Sequence, residues 1–336
     1  MKDEVLRVNN LKTHFKLSTG TAKAVDGVSF NLKKGEILGI VGESGSGKSV
    51  TVTSIMRLLP KNTGKIVDGE ILFEGKDLAK LSDKEMLKIR GKDITMVFQD
   101  PMTSLDPVFT IGHQMIEVVR VHQKMSKEEA EKLAVKALDM VGIPEAQSRM
   151  NSYPHEFSGG MRQRVIIAMA IVSNPKIIIA DEPTTALDVT VQAQVLGLLK
   201  DLRNKLDTSI ILITHNLGVV WDMCEKVMVM YAGKTVEYAS TGELYKNPVH
   251  PYTWGLLNSI PKISDESGNP LETIPGTPPD LRLTGVGCNF HNRCKYAKDI
   301  CKEKVPELLE IEKDHFVACH FQTKEKGLNI KREEEK

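Results

Sequence analysis

The sequence predicts an α/β protein in which helices cover a largely parallel β-sheet, with a small loop-rich region at the C-terminus. Short apolar runs rich in β-branched residues alternate with helical stretches, which is typical of such sheets. The runs are continuous rather than alternating, as expected for strands that are buried on both faces. The predicted strands are residues 37–41, 177–180, 210–213 and 227–230.

A helical segment interrupts the strand pattern between about residues 101 and 174. Within it, Ser126 and Glu129 fit a capping box, in which the two side chains satisfy free backbone N–H groups at a helix start. The capping box precedes a stretch rich in Ala, Lys, Glu and Leu, which predicts a helix over residues 127–140. We interpret this segment as a helical subdomain inserted into an α/β domain that spans residues 1–247.

The last part of the chain, residues 248–336, differs in composition from the rest and is called the C-terminal region below. Seven prolines fall between Pro248 and Pro279. Prolines at this density predict loops and linkers rather than another βαβ unit. We therefore expect a domain boundary near residue 247.

The composition describes an ordinary globular protein of 336 residues, with 41% hydrophobic residues and a formal net charge of +1. These values exclude a disordered chain and argue against a protein that coats nucleic acid, so no nucleic acid partner is expected. No apolar run approaches the roughly 20 residues that cross a bilayer. The first ten residues carry several charges and no apolar signal core. We therefore expect the chain to fold in the cytosol.

Residues 42–49 predict a phosphate-binding loop. Their sequence, GESGSGKS, fits G-x-x-x-x-G-K-[ST] and follows the predicted strand 37–41 directly. Glycines allow backbone N–H groups to turn toward a phosphate, and the next helix presents its positive N-terminus. Lys48 is expected to reach the β and γ phosphates of a nucleotide, and Ser49 to hold Mg²⁺. The residues expected at the nucleotide are Gly42, Ser44, Gly45, Gly47, Lys48 and Ser49.

Two adjacent carboxylates, Asp181 and Glu182, follow the apolar run 177–180. Open α/β sheets bind ligands beyond the carboxyl ends of their strands. Asp181 is expected to hold Mg²⁺ through water, which leaves Glu182 free to polarise the water that attacks the γ-phosphate.

A third motif, Ser158-Gly159-Gly160, precedes an apolar helix. Here the chain resembles the ATP-binding cassette (ABC) family, whose signature has a Ser-Gly-Gly core ahead of a helix. The motif would form a second anion-binding helix terminus. Because one nucleotide does not need two such sites within one subunit, we expect ATP to be shared between two subunits arranged head to tail.

The ABC resemblance implies a P-loop nucleotide-binding domain with a helical subdomain, and it implies roles for further residues. Gln99 matches the glutamine that contacts the metal and the water and links to the membrane partner. His215 matches the switch histidine that senses the γ-phosphate, and Phe15 occupies the position where an aromatic ring stacks on adenine. The implied catalytic residues are Lys48, Gln99, Glu182 and His215.

Residues 100–107 and 247–253 resemble the ATP-binding subunits of dipeptide and oligopeptide importers. This resemblance implies an ATPase at the cytoplasmic face of the cell membrane. Its partners would be a second ABC ATPase subunit, two membrane permease subunits and, indirectly, an extracytoplasmic peptide-binding protein.

Two alternatives to a peptide importer remain open. Close relatives of such importers carry nickel or another small solute, and the cargo is chosen by other subunits. A soluble ABC ATPase of DNA maintenance or translation is the second alternative. It is disfavoured because the chain has one cassette and no long heptad run.

Four of the five cysteines lie late in the chain, and their spacing is x5, x6 and x17. In a cytosolic protein such a group predicts a metal site, either zinc or an iron–sulfur cluster. Zinc sites favour C-x₂₋₄-C pairs, which are missing here. The importer resemblance implies a [4Fe–4S] cluster, with Zn²⁺ and unligated buried thiols as alternatives. The predicted ligands are Cys288, Cys294, Cys301 and Cys319.

Overall fold

Two β-sheets form the framework of the protein. The computed structural model describes residues 3–98, 104–185, 187–259 and 273–322. The strands in chain order are β1 (Glu4–Leu17), β2 (Gly20–Lys33), β3 (Ile37–Val41), β4 (Gly64–Phe73), β5 (Lys76–Asp77), β6 (Ile94–Val97), β7 (Ile177–Asp181), β8 (Ser209–Thr214), β9 (Lys226–Tyr231), β10 (Lys234–Ser240), β11 (Leu309–Glu312) and β12 (His315–Val317).

The helices of the described residues begin after β3 and continue to the C-terminal region. They are α1 (Lys48–Ile55), α2 (Asp83–Ile89), α3 (Ile111–His122), α4 (Lys127–Met140), α5 (Ala146–Arg149), α6 (Gly159–Ile171), α7 (Val189–Leu206), α8 (Leu217–Met223), α9 (Thr241–Lys246), α10 (Pro251–Asn258) and α11 (Asp299–Glu303). In the described part of the chain, no helix is long and apolar enough to span a membrane.

The larger sheet contains all the strands predicted from sequence. Its order is β11-β12-β10-β9-β3-β8-β7-β6, and the strands from β9 to β6 are parallel. Every residue of β3, β7 and β8 is buried. The continuous apolar runs thus arise because side chains on both faces of these strands are covered. The prediction of an α/β fold with a parallel sheet is confirmed.

A smaller antiparallel sheet, ordered β2-β1-β4-β5, was not predicted. Its long strands β1 and β2 alternate between buried and exposed positions, because one face is covered and the other faces solvent. Val8, Leu11 and Ile71 of this sheet share one apolar core with Ile40 and Ile179 of the larger sheet. The smaller sheet therefore packs against the face of the larger sheet that α1 also covers.

Helices α3 to α6 lie between β6 and β7 in the chain, within the segment that has helical periodicity. Helix α4 begins after Ser126 and forms the expected capping box: Ser126 N–H donates to Glu129 Oε2 at 2.8 Å, and Glu129 N–H donates to Ser126 Oγ at 3.2 Å. The apolar face of α6 packs on the second face of the larger sheet. Treatment of this segment as a subdomain remains a prediction.

The C-terminal region returns to the larger sheet. Strand β12 pairs antiparallel with β10, where Glu237 lies opposite Val317. Glu237 and His315 are both buried and form a hydrogen bond of 2.8 Å between Oε1 and Nε2. The Glu237 carboxylate also accepts the N–H groups of Val249 and His250. The strands β11 and β12 were not predicted from the sequence, because β11 is mostly exposed and charged. The domain boundary near residue 247 remains a prediction.

Candidate nucleotide-binding site

The predicted phosphate loop connects β3 to α1. Gly47, with φ +104°, caps the N-terminus of α1, and Gly42 has φ +150°. A Cβ atom on Gly42 would lie 2.2 Å from the carbonyl oxygen of Met230, and one on Gly47 would lie 2.4 Å from that of Ala24. Only glycine fits at both positions, because the loop is pressed against neighbouring backbone.

The ammonium group of Lys48 points back into the loop. Its Nζ donates to the carbonyl oxygen of Gly42 at 2.7 Å and to that of Glu43 at 3.0 Å. Burial lowers the pKa of Lys48, and the nearby carboxylates of Glu182, Asp181 and Glu43 oppose this shift. The cation is therefore placed among acceptors that a phosphate oxygen could replace.

Ser49 and Asp181 meet at the carboxyl end of β7. Ser49 Oγ donates to Asp181 Oδ1 at 3.0 Å. Burial raises the pKa of Asp181, as does the charge of Glu182, while the hydrogen bond from Ser49 and the charge of Lys48 lower it. Hydroxyl and carboxylate oxygens are ligands that Mg²⁺ prefers, and here they lie side by side. The residues present thus fit a magnesium ion next to the glycine-lined loop.

Glu182 is held directly beside this pair. Its φ is +47°, and its N–H donates to Ile213 O of β8 at 2.9 Å. Its carboxylate Oε2 accepts the hydroxyl of Thr185 at 3.0 Å and lies 3.6 Å from Nδ1 of the exposed His215. The structure thus brings together Glu182 and His215, and it adds Thr185 as a carboxylate partner that the sequence did not indicate.

Ser158 caps the N-terminus of α6. Its Oγ accepts the N–H of Met161 at 3.3 Å, and Gly159 and Gly160 form the first turn. A Cβ on Gly160 would lie 2.6 Å from Cγ1 of Val191, so α6 and α7 approach closely at this point. Within the described residues, no hydrogen bond joins Ser158 to the phosphate loop. Ser158 is exposed at this helix start.

Two further predicted residues are Phe15 and Gln99. Phe15 is near the end of β1, opposite Gly64 of β4, where a Cβ would come within 2.9 Å of its ring. Thr13 and Ser54 join β1 to α1 through a 2.8 Å hydrogen bond between their hydroxyl groups. Gln99 lies outside the described residues.

The C-terminal region contacts the phosphate loop at Glu43. This contact was not predicted from the sequence. Arg293 contacts the Glu43 carboxylate with both terminal nitrogens, at 2.6 and 3.0 Å. The hydroxyl of Tyr252 accepts the Glu43 N–H at 2.9 Å. No sequence pattern relates positions 250 residues apart, so only the folded chain reveals this contact.

Two protein-family models match the chain. The ABC transporter model matches residues 25–185, and the model of the oligopeptide/dipeptide transporter C-terminal region matches residues 236–301. Among curated proteins, the oligopeptide transport ATP-binding protein OppD of Bacillus subtilis is 55% identical over 313 residues, which are 93% of this chain and 87% of OppD. The dipeptide transport ATP-binding protein DppD of B. subtilis is 52% identical over 320 residues, 95% of each chain.

Solved structures of ATP-binding cassettes share the fold. A dimeric cassette bound to ADP and Pi in a post-hydrolysis state has a TM-score of 0.63 and 31% identity, and the match covers 70% of this chain and 98% of that one. A cassette of an ABC transporter complex from Clostridium perfringens also has a TM-score of 0.63 and 31% identity, with 73% of this chain and 92% of that one covered.

The four late cysteines require a correction. They line one small cavity, but no three of their sulfurs lie within 4.8 Å of one another, whereas tetrahedral zinc needs sulfurs about 3.8 Å apart. Burial raises the pKa of Cys288 to about 12 and also raises the pKa of Cys294 and Cys319. The relatives' names mention no cluster. The names of the relatives thus contradict the predicted [4Fe–4S] cluster, and the spread of the sulfurs gives no support to Zn²⁺.

The similarity covers nearly the whole chain and includes both the cassette and the C-terminal region. OppD of Escherichia coli is 50% identical over 317 residues, 94% of this chain and 93% of that protein. The loop and strand ends described above are those expected of an ATP-binding cassette. The chain belongs to the ABC transporter family, among the ATP-binding proteins of oligopeptide and dipeptide transport.

Proposed function

We propose that this chain hydrolyses ATP to drive the import of dipeptides or oligopeptides. The observation that carries the proposal is the convergence of Lys48, Ser49, Asp181 and Glu182 at one end of the parallel sheet. The relatives are named as oligopeptide and dipeptide transport ATP-binding proteins. The names give no support to a role in DNA maintenance or translation.

The chemistry follows from the positions of the side chains. When ATP enters the loop, Lys48 exchanges the carbonyl oxygens of Gly42 and Glu43 for phosphate oxygens and offsets their charge. Ser49 and Asp181 would hold Mg²⁺, which would supply further positive charge beside the phosphates. Glu182 orients the attacking water and accepts its proton, because its carboxylate is fixed by Thr185 and lies beside His215. The fold therefore supplies positioning and electrostatic stabilisation rather than a covalent intermediate.

A second subunit completes the site in this proposal. Ser158 lies at an exposed helix N-terminus that makes no hydrogen bond to the loop of its own chain within the described residues. Such a terminus favours an anion. A similar cassette has been solved as a dimer bound to ADP and Pi, which supports a pair of subunits. We expect this pair to be head to tail, with ATP between the loop of one subunit and Ser158 of the other.

The remaining partners follow from the family. We expect the pair of ATPases to bind two permease subunits at the cytoplasmic face of the membrane, with Gln99 and the residues around it at the contact. An extracytoplasmic peptide-binding protein would deliver the cargo. ATP binding would close the pair and hydrolysis would reopen it, which moves the permeases.

Reconstitution of the complete transporter tests the proposal. Wild-type complexes in vesicles are expected to take up labelled dipeptides or oligopeptides in an ATP-dependent manner. The substitution Glu182→Gln is expected to retain ATP binding but to lower uptake and hydrolysis by at least about 100-fold, because the water loses its proton acceptor. The matched control is Glu310→Gln on the exposed strand β11. Uptake of Ni²⁺ but not of peptides would contradict the assignment of peptides as the cargo. Wild-type ATP turnover by Glu182→Gln would contradict the catalytic role of Glu182.

A further inference from the structure

Glu43 is the point at which the C-terminal region contacts the phosphate loop. Its carboxylate forms a two-pronged ion pair with Arg293, with N–O distances of 2.6 and 3.0 Å. Its backbone N–H donates to the hydroxyl of Tyr252 at 2.9 Å. Both the side chain and the backbone of one loop residue are thus held by residues that lie more than 200 positions later in the chain.

The guanidinium of Arg293 is itself rigidly placed. Its side chain is only 6% exposed. Its Nε donates to Pro275 O at 2.9 Å, and Nη2 donates to Ile274 O at 3.2 Å. Nη1 also donates to the hydroxyl of Tyr231 at 3.3 Å, and the group lies over the Tyr231 ring at 5.7 Å. A planar fork with this many fixed acceptors loses little further freedom when it binds a carboxylate.

The contact extends to the lysine of the loop. The carbonyl oxygen of Glu43 accepts Lys48 Nζ at 3.0 Å and Ser46 N–H at 3.2 Å. A shift of the Glu43 peptide would therefore move an acceptor of Lys48 and a backbone N–H of the loop together. The ion pair is not a surface pair of small effect, because Arg293 is buried and an unpaired guanidinium would be costly there.

We propose that Arg293 and Tyr252 are positioning residues that hold the phosphate loop in its ATP-binding conformation through Glu43. The C-terminal region is then part of the nucleotide site, although it touches no phosphate. The gain arises from preorganisation, since a loop already held in its bound shape loses less entropy when ATP binds. This inference rests on the proposed assignment of Lys48 and its loop as the ATP site.

The most direct test uses Glu43→Gln and Tyr252→Phe in the full-length chain. Glu43→Gln removes the charge pair but leaves the bonds from Arg293 to Ile274 and Pro275 in place. Tyr252→Phe removes one oxygen atom and retains the buried ring. We expect a fluorescent ATP analogue with Mg²⁺ to bind about tenfold more weakly to Glu43→Gln and about threefold more weakly to Tyr252→Phe. In the transporter complex, KM for ATP should rise by similar factors while kcat changes less than twofold.

Further variants separate positioning from general stability. Arg293→Lys keeps a charge but not the fork, so it should bind ATP more tightly than Arg293→Gln. Adding Glu43→Gln to Arg293→Gln should weaken binding no further, because the pair acts as a unit. The matched control is Arg282→Gln, which breaks an exposed pair with Asp280 in the same region. It should leave ATP affinity unchanged.

Two outcomes would contradict different statements. The positioning role would be overturned if Glu43→Gln and Tyr252→Phe had wild-type affinity and KM for ATP. It would also be overturned if a lower thermal midpoint were the sole change in these variants. Lys48→Ala serves as the test of the site itself and should abolish binding. If Lys48→Ala binds ATP normally, the assignment of the loop is wrong; if it fails to bind while Glu43→Gln binds normally, only the positioning role is wrong.

Discussion

The phosphate loop and the four late cysteines both place several potential binding groups close together in sequence, yet they differ in three dimensions. In the loop, a fully buried strand and a helix fix the backbone on either side, so Lys48 and Ser49 converge with Asp181. The cysteines are carried by loops and the five-residue helix α11, and their sulfurs remain spread around a cavity. Regular elements fix the direction of a side chain, whereas spacing in a loop does not.

The largest expected effect comes from adding one methyl group to the loop. In Gly42→Ala, the Cβ would lie 2.2 Å from Met230 O at a backbone φ of +150°. The loop must shift, and we expect ATP affinity to fall at least about 100-fold. Titration with a fluorescent ATP analogue measures this loss.

Gly75→Ala is the matched control for that substitution. Gly75 also has a positive φ, +80°, but nothing lies within 4 Å of its added Cβ. It should cost about 1 kcal/mol of stability and leave ATP affinity unchanged. Equal affinities of the two variants would show that the contact with Met230 does not define the loop.

A second prediction concerns the pH dependence of the C-terminal region. Complete burial lowers the pKa of His250 to about 3, and its Nδ1 accepts the N–H of Tyr252 at 3.0 Å. In the unfolded chain, His250 binds a proton with a pKa near 6.5, whereas in the folded chain it stays neutral at this pH. The free energy of unfolding therefore decreases as the pH falls below 6.5. The loss should be about 1.4 kcal/mol per pH unit, or roughly 2 kcal/mol between pH 6.5 and 5.

Denaturant titration of His250→Asn checks this prediction. The asparagine Oδ1 can accept the same N–H at the start of α10 but does not titrate. The pH dependence of the variant between 6.5 and 5 should therefore be smaller by about this amount; an unchanged slope would assign it to other groups, such as His14 and His122, whose pKa burial also lowers. The exposed His113→Asn serves as the control and should retain the wild-type slope.

The smallest expected effect is that of Cys288→Ser, which tests the corrected interpretation of the cysteines. Replacing a partly buried thiol by a hydroxyl should cost about 1 kcal/mol of stability and leave ATP affinity within about twofold. Cys224→Ser, at a buried site in the α/β domain, is the control. Metal analysis should find no stoichiometric iron in any of the three proteins; iron bound by the wild type and lost in Cys288→Ser would contradict this interpretation.

The sequence predicted the parallel strands and the phosphate loop because each depends on contiguous residues. A run such as 177–180 must be buried on both faces, and a glycine-rich segment between strand and helix has few alternative conformations. Glu182 and His215 lie close together in the structure because they follow the neighbouring parallel strands β7 and β8. The smaller sheet was missed because its strands alternate and carry many polar residues on the exposed face.

The sequence by itself determined the class of fold, the position of the nucleotide loop and the family. Only the tertiary structure decided which distant groups meet: Arg293 with Glu43, Tyr252 with the loop backbone, and Glu237 with His315. It also decided that the late cysteines do not form a close group of sulfurs, since sulfurs at loop positions need not converge. The physical reason is that local motifs fix backbone conformation within a few residues, whereas contacts across 250 positions depend on how the whole chain packs.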